Sequence, residues 1–129
     1  MQAQRSIVAL FGVAAAYDGL LGIAFLLFPA ALFARFDVPP PNHWGYVHFA
    51  AALLVIFGLL FLNVAWRPHA NRNLIPYGIL LKVAYCAVVF GHWFTADIPG
   101  MWKPLAFADA AFAVLFVWAY VRLGRPAGV

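Results

Sequence analysis

Four apolar stretches of bilayer-spanning length dominate the chain, at about residues 7–28, 46–64, 74–94 and 104–121. A helix needs roughly 20 consecutive apolar residues to cross the hydrocarbon core of a membrane. Charged residues make up only 9% of the chain, whereas a soluble domain carries about 25%. A water-facing globule of this size could not bury so much apolar surface. The sequence therefore predicts an all-α integral membrane protein with a single transmembrane domain, residues 1–129.

The connections between these stretches are short and polar or proline-rich, as in residues 37–43. Short links make sequential helices antiparallel neighbours, so we expect an up-down bundle of four transmembrane helices. The N-terminus, the second connection and the C-terminus carry basic residues and no acid, namely Arg5, Arg67, Arg72, Arg122 and Arg125. The positive-inside rule then predicts that both termini are cytoplasmic, an N-in/C-in topology.

Three charged residues lie inside the apolar stretches: Asp18, Lys82 and Asp109. A charge in hydrocarbon is costly, and it usually faces a bundle interior, a partner or a ligand. With a rise of about 1.5 Å per residue, Asp18 and Lys82 lie at a similar depth, roughly 15 Å below the outer end of the bundle. We therefore expect Lys82 to pair with Asp18 or with Asp109. Three interpretations stay open: a structural pair that fixes helix register, a ligand- or proton-linked site, and snorkelling of Lys82 to a surface.

Polar side chains on the outer side of these charges predict a cavity. His48 begins the second helix, while Lys82, Tyr85 and His92 recur in the third at a spacing that makes one helical face. The sequence thus predicts an outward-opening polar cavity with Asp18 and Lys82 as its floor. Its expected lining residues are Tyr17, His48, Tyr85, His92 and Asp109.

The histidines raise the hypotheses of haem and of a divalent metal. His48 and His92 are predicted at a similar depth on antiparallel helices, which would suit ligation of one haem. His43, His48, His92 and an aspartate could instead hold zinc or copper through nitrogen and oxygen ligands. Against both hypotheses, the His43 to His48 spacing is not a standard ligand spacing, and histidines beside tryptophan are common headgroup anchors at membrane interfaces. The identity of any cofactor is left open.

Several function classes lack support in the sequence. The single Cys86 cannot form an intramolecular disulfide or a CxxC redox pair. The net charge of +4 is spread over termini and loops, so no basic run indicates a nucleic-acid partner. The chain contains no HxxxH, HxxHH or HExxH cluster and no serine nucleophile elbow. The sequence therefore favours no enzyme class.

Small residues thin one side of two predicted helices. They are Ala15, Gly19 and Gly22 in the first helix and Ala106, Ala110 and Ala113 in the fourth. Such faces allow close helix contact within the bundle or with a partner. The expected partners are membrane lipids, and membership of a larger membrane complex or a homo-oligomer stays open.

Three patterns carry a resemblance to a known family. They are Gly19-Leu20-Leu21-Gly22 in a first helix that ends at Pro29, an Ala/Gly-rich second helix, and the segment NLIPYGILLK at residues 73–82. In these features the chain resembles the small four-helix bacterial membrane proteins of the DoxX-like group. The resemblance implies a bacterial inner-membrane location and an accessory role in a redox or respiratory system. It implies no catalytic residues.

Three functions are therefore in contention. The first is a small bundle that binds an apolar or amphipathic ligand, quinone-like or lipid-like, or serves as an accessory subunit of a membrane redox complex. The second is a proton-coupled small-molecule transporter with Asp18 as its central carboxylate. The third is haem or metal binding at the outer face through His48 and His92.

Overall fold

The computed structural model describes residues 2–125, and within them every regular element is helical. The helices are α1 (Gln2–Leu27), α2 (Pro29–Arg35), α3 (Gly45–Trp66), α4 (Ile75–Thr95) and α5 (Trp102–Leu123), with a 3₁₀ turn at Arg72–Leu74 before α4. Helices α1, α3, α4 and α5 cover almost all of the predicted apolar stretches and are long and apolar enough to cross a membrane. The prediction of an all-α chain with four such helices is confirmed.

Prolines set where several helices begin. The backbone of Phe28 leaves the helical region, with φ −132° and ψ 43°, and Pro29 then starts α2. Pro76 occupies the first turn of α4 in the same way. Proline is tolerated there because the N–H that it lacks would have no partner within the helix. The sequence predicts Pro29 only as the end of the first helix, so the short helix that Pro29 begins is not predicted.

Glycines let α1 and α3 approach each other closely. A Cβ added to Gly22 would lie 2.7 Å from the carbonyl oxygen of Ala51, and one added to Gly58 would lie 2.9 Å from the Cα of Gly19. Real Cβ atoms do not approach so closely, so these positions require glycine. The small-residue face of the first helix is therefore used for contact inside the bundle. Helices α4 and α5 form the second closely packed pair.

One core region, the phenylalanine cluster, is built around Phe11, Phe61 and Phe116. The rings of Phe11 and Phe116 stack with centroids 4.6 Å apart, and those of Phe61 and Phe116 lie 5.0 Å apart. Gly78 makes room for this packing, because a Cβ there would lie 2.5 Å from the Phe61 ring. Buried aromatic rings contribute a large share of core stability. This cluster joins the four long helices into one body.

A second core region, the tryptophan cluster, forms around buried Phe25 and Phe33 with Trp44 and Trp102 packed against them. The Phe33 ring meets the rings of Trp44 and Trp102 edge-on, at centroid distances of 5.1 and 5.8 Å. Helix α2 supplies Phe33 and is thereby fixed against the long helices. Along α1, Asp18 lies midway between Phe11 of the phenylalanine cluster and Phe25. The charged residues thus occupy the level between two apolar clusters.

Large apolar side chains also cover the outside of the bundle. Examples from the four long helices are Leu20, Phe49, Leu80 and Val114, which are 66%, 67%, 62% and 70% exposed. Exposure of such a surface to water is unfavourable, whereas lipid tails are as apolar as these side chains. Length, composition and surface together describe a multi-pass membrane protein.

Candidate functional site

Lys82 lies at the centre of a buried charged cluster. Its Nζ donates to both carboxylate oxygens of Asp18, at 2.9 and 2.8 Å, and to Oδ1 of Asp109, at 2.9 Å. The exposed fractions of Lys82, Asp18 and Asp109 are 0%, 1% and 7%. An ammonium group has three protons to donate. All three are therefore directed at carboxylate oxygens, and none remains for another partner.

The cluster connects three helices, because Asp18 belongs to α1, Lys82 to α4 and Asp109 to α5. The sequence predicted that Lys82 would pair with one aspartate or the other, and the structure shows it bound to both. Snorkelling of Lys82 is a wrong interpretation, since its ammonium group is fully buried between two carboxylates. With all three groups ionised, the cluster carries one net negative charge.

Aromatic rings enclose the ammonium group of Lys82. Its Nζ lies 5.2 Å from the ring centroid of Tyr17, 5.0 Å from that of Phe112 and 5.7 Å from that of Phe61. Ring faces attract a cation at these distances, and the attraction is larger where water is excluded. The rings therefore help to hold the ammonium group of Lys82 in place beside its two carboxylates.

A cavity of about 360 Å³ adjoins the cluster. Ligand pockets in proteins measure roughly 300–1,000 Å³ and are mostly apolar with a few polar groups, so this cavity suits a small ligand. Its walls come from all five helices, and the polar side chains among them are Asp18, Asp109, Tyr17, Tyr46 and Tyr85. Lys82 does not line the cavity. The predicted floor of Asp18 and Lys82 is therefore corrected to Asp18 and Asp109, with Lys82 behind them.

The cavity is covered at one end and reaches the surface at one side. Phe25, Phe33 and Trp102 of the tryptophan cluster line it, so this cluster covers the end of the cavity near α2. On α3, the lining residues Ala50 and Leu53 are also exposed on the outside of the bundle. A molecule in the surrounding lipid could therefore meet the cavity beside α3.

Beside the charged cluster at the floor of the cavity, two polar atoms have no hydrogen-bond partner within residues 2–125. One is the hydroxyl of Tyr17, which is buried and unpaired. The other is Oδ2 of Asp109, because only Oδ1 of this carboxylate accepts a hydrogen bond from Lys82. The hydroxyl of Tyr85, in contrast, donates to the backbone oxygen of Trp102 at 3.1 Å. Buried polar groups such as the Tyr17 hydroxyl are nearly always paired, and Oδ2 of Asp109 is an acceptor beside the same cavity. Both atoms therefore mark places where a bound molecule could supply the partner.

The three histidines that were expected near the cavity lie outside it. His43, His48 and His92 are all exposed, and none of them lines the cavity. Helix α3, which carries His48, packs along α1, whereas α4, which carries His92, packs along α5. Within residues 2–125, no three His, Cys, Asp or Glu side chains are close enough to hold a metal ion. The predicted cavity lining through His48 and His92 is wrong, and the hypothesised metal group of His43, His48 and His92 does not form.

His43 has a local role instead, since its Nδ1 accepts a hydrogen bond from the backbone N–H of Gly45 at the start of α3, at 2.9 Å.

The apolar walls of the cavity were not predicted from the sequence. Asp18, Leu21 and Phe25 share one face of α1 at helical spacing, and this pattern could have identified Leu21 and Phe25.

Comparison of the chain with models of protein families, with curated proteins and with solved structures gives no match in any of the three. The function must therefore be argued from the cavity and the charged cluster themselves.

Proposed function

We propose that this protein binds an apolar or amphipathic small molecule that enters the cavity from the lipid bilayer. The observation that carries the proposal is the combination of an apolar cavity of about 360 Å³ with unpaired polar atoms at its floor. Apolar walls would surround the body of the ligand, and the Asp109 carboxylate and Tyr17 hydroxyl would bind its polar end. The exposed lining residues Ala50 and Leu53 mark the entry side on α3.

The proposal includes an arrangement in the membrane. The phenylalanine cluster combines the first half of α1, the second half of α3, the first half of α4 and the second half of α5, which supports an up-down bundle. The arginines near both termini and between α3 and α4 support cytoplasmic termini. The tryptophan cluster and the cavity then lie in the outer half of the membrane. The DoxX-like resemblance supports a bacterial inner membrane and an accessory role in a redox complex.

The transport hypothesis assigns the central role to Asp18. Both oxygens of Asp18 accept hydrogen bonds from Lys82, so neither oxygen of this carboxylate is unpaired. Asp109 has one unpaired oxygen. The geometry therefore favours ligand binding at Asp109 over proton coupling at Asp18.

Native mass spectrometry of the protein released from lipid nanodiscs tests the proposal. We expect a small molecule to remain bound to the wild-type protein and to be lost in Ala50→Phe, because the larger side chain would fill the entry side of the cavity. Ala87→Phe is the matched control, since Ala87 is exposed on α4 and does not line the cavity. Equal retention of bound molecules by both variants would contradict entry beside α3.

A further inference from the structure

We infer that the ligand carries a protonated amine at its polar end and that Oδ2 of Asp109 accepts a hydrogen bond from it. This inference rests on the proposed function and narrows its ligand to lipophilic amines. It follows from the charge of the cluster, from the distribution of its hydrogen bonds and from the residues that reach the cavity.

The cluster offers hydrogen-bond acceptors to the cavity, whereas its donor, the ammonium group of Lys82, does not reach the cavity. Lys82 is 0% exposed and does not line the cavity, and its three protons are directed at Asp18 and Asp109. Both aspartates line the cavity. A ligand at the floor therefore meets carboxylate oxygens, which can only accept hydrogen bonds while they are ionised.

Asp109 is the carboxylate with an oxygen that accepts no hydrogen bond. Asp18 uses both of its oxygens on Lys82, whereas Asp109 uses only Oδ1. The side chain of Asp109 is also the more accessible of the two, with 9% exposed against 2% for Asp18. Tyr17 lines the same cavity, and its buried hydroxyl has no hydrogen-bond partner and can accept a second hydrogen bond. These two groups together match an ammonium group that has more than one proton to donate.

When both carboxylates are ionised, charge balance favours an amine over other donors. The single ammonium of Lys82 faces two carboxylates, so the ionised cluster has one negative charge without a partner. An unpaired charge in an apolar site is unfavourable, and a cationic ligand would neutralise it. A quinone carbonyl offers only acceptor oxygens, and an anionic head would be repelled. An alcohol can donate one hydrogen bond, but it brings no charge.

Three probes of similar shape test this inference: phenylbutylamine, phenylbutanol and phenylbutyrate. Their binding to the protein in nanodiscs of zwitterionic lipid would be measured by saturation-transfer NMR, with empty nanodiscs as the background. We expect the amine to bind about tenfold to a hundredfold more tightly than the alcohol, the range that corresponds to a charge-assisted hydrogen bond. We expect phenylbutyrate to bind more weakly than both.

Asp109→Asn removes the unpaired negative charge and leaves Lys82 paired with Asp18. We expect this variant to bind amine and alcohol about equally, and its binding of phenylbutanol would show that the cavity is intact. Asp97→Asn is the matched control, because Asp97 is an exposed carboxylate that also binds a lysine, Lys103, at 3.3 Å. This control is expected to keep the wild-type preference for the amine.

The possible results separate the inference from the proposed function. Equal binding of amine and alcohol by the wild-type protein would overturn the amine assignment and leave ligand binding standing. An amine preference that persists in Asp109→Asn would overturn the role of Asp109. Failure of every probe to bind the wild-type protein would overturn the proposed function and the inference with it. The wild-type comparison decides the amine assignment even if Asp109→Asn does not fold.

Discussion

Replacement of Lys82 by methionine removes the one cation of the buried cluster. Methionine has a similar shape, so the substitution deletes the charge and three hydrogen bonds while largely preserving the packing. Asp18 and Asp109 would then be two buried carboxylates without a counter-ion. Because removal of one partner from a buried ion pair costs about 3–5 kcal/mol, we expect Lys82→Met to lower the free energy of unfolding by that amount.

Reversible unfolding in mixed micelles, followed by circular dichroism, measures this loss. The triple variant Asp18→Asn, Lys82→Met, Asp109→Asn should recover most of the stability, because a neutral cluster needs no counter-ion. Lys103→Met is the matched control, since Lys103 also binds an aspartate but in an exposed pair, and we expect no measurable change there. The reasoning is refuted if Lys82→Met unfolds like the wild-type protein, or if the triple variant is no more stable than Lys82→Met.

Three further outcomes are expected. Gly22→Leu should lower the free energy of unfolding by about 1–3 kcal/mol, because the added side chain has no room between α1 and α3. Chemical denaturation measures this loss. Phe116→Ala should cost about 3–5 kcal/mol by opening a void in the phenylalanine cluster, measured in the same way. The backbone N–H of Ile98 and the ammonium of Lys103 hold the pKa of Asp97 below its ordinary value. As the pH falls through the ordinary pKa range of aspartate, the hydrogen bond from the Ile98 N–H to the Asp97 carboxylate should therefore persist, and it should be lost only at lower pH. An NMR titration of the Ile98 amide would show this.

Much of the fold follows from the sequence because the bilayer leaves few alternatives. A stretch of about 20 apolar residues must be helical to satisfy its backbone hydrogen bonds in lipid. The high cost of a charge in hydrocarbon likewise indicated that Lys82 would pair with an aspartate inside the bundle. The rise per residue gave their depth but not their rotational position around each helix. It therefore could not show that Lys82 binds both aspartates and is hidden from the cavity.

The prediction for His92 failed for a geometric reason. At 3.6 residues per turn, His92 lies about 80° around α4 from Lys82, although both were assigned to one face. Val89, which lies only about 20° from Lys82 by the same count, is buried, whereas His92 is exposed. The end of the cavity is covered by Phe33, which belongs to helix α2, and by Trp102, whose ring packs against that of Phe33. Because the sequence pattern does not predict α2, it predicts polar residues at the end of the cavity where an apolar cover lies.

Photolabelling tests most directly whether the charged cluster forms the floor of a cavity that a ligand can enter. A phenylalkylamine with a diazirine group would be irradiated with the protein in nanodiscs, and the labelled residues would be mapped by mass spectrometry. We predict labels on the cavity residues Leu21 and Tyr85 that excess phenylbutylamine prevents. Labels confined to lipid-facing residues such as Leu20 and Leu80, and unaffected by the competitor, would contradict the account.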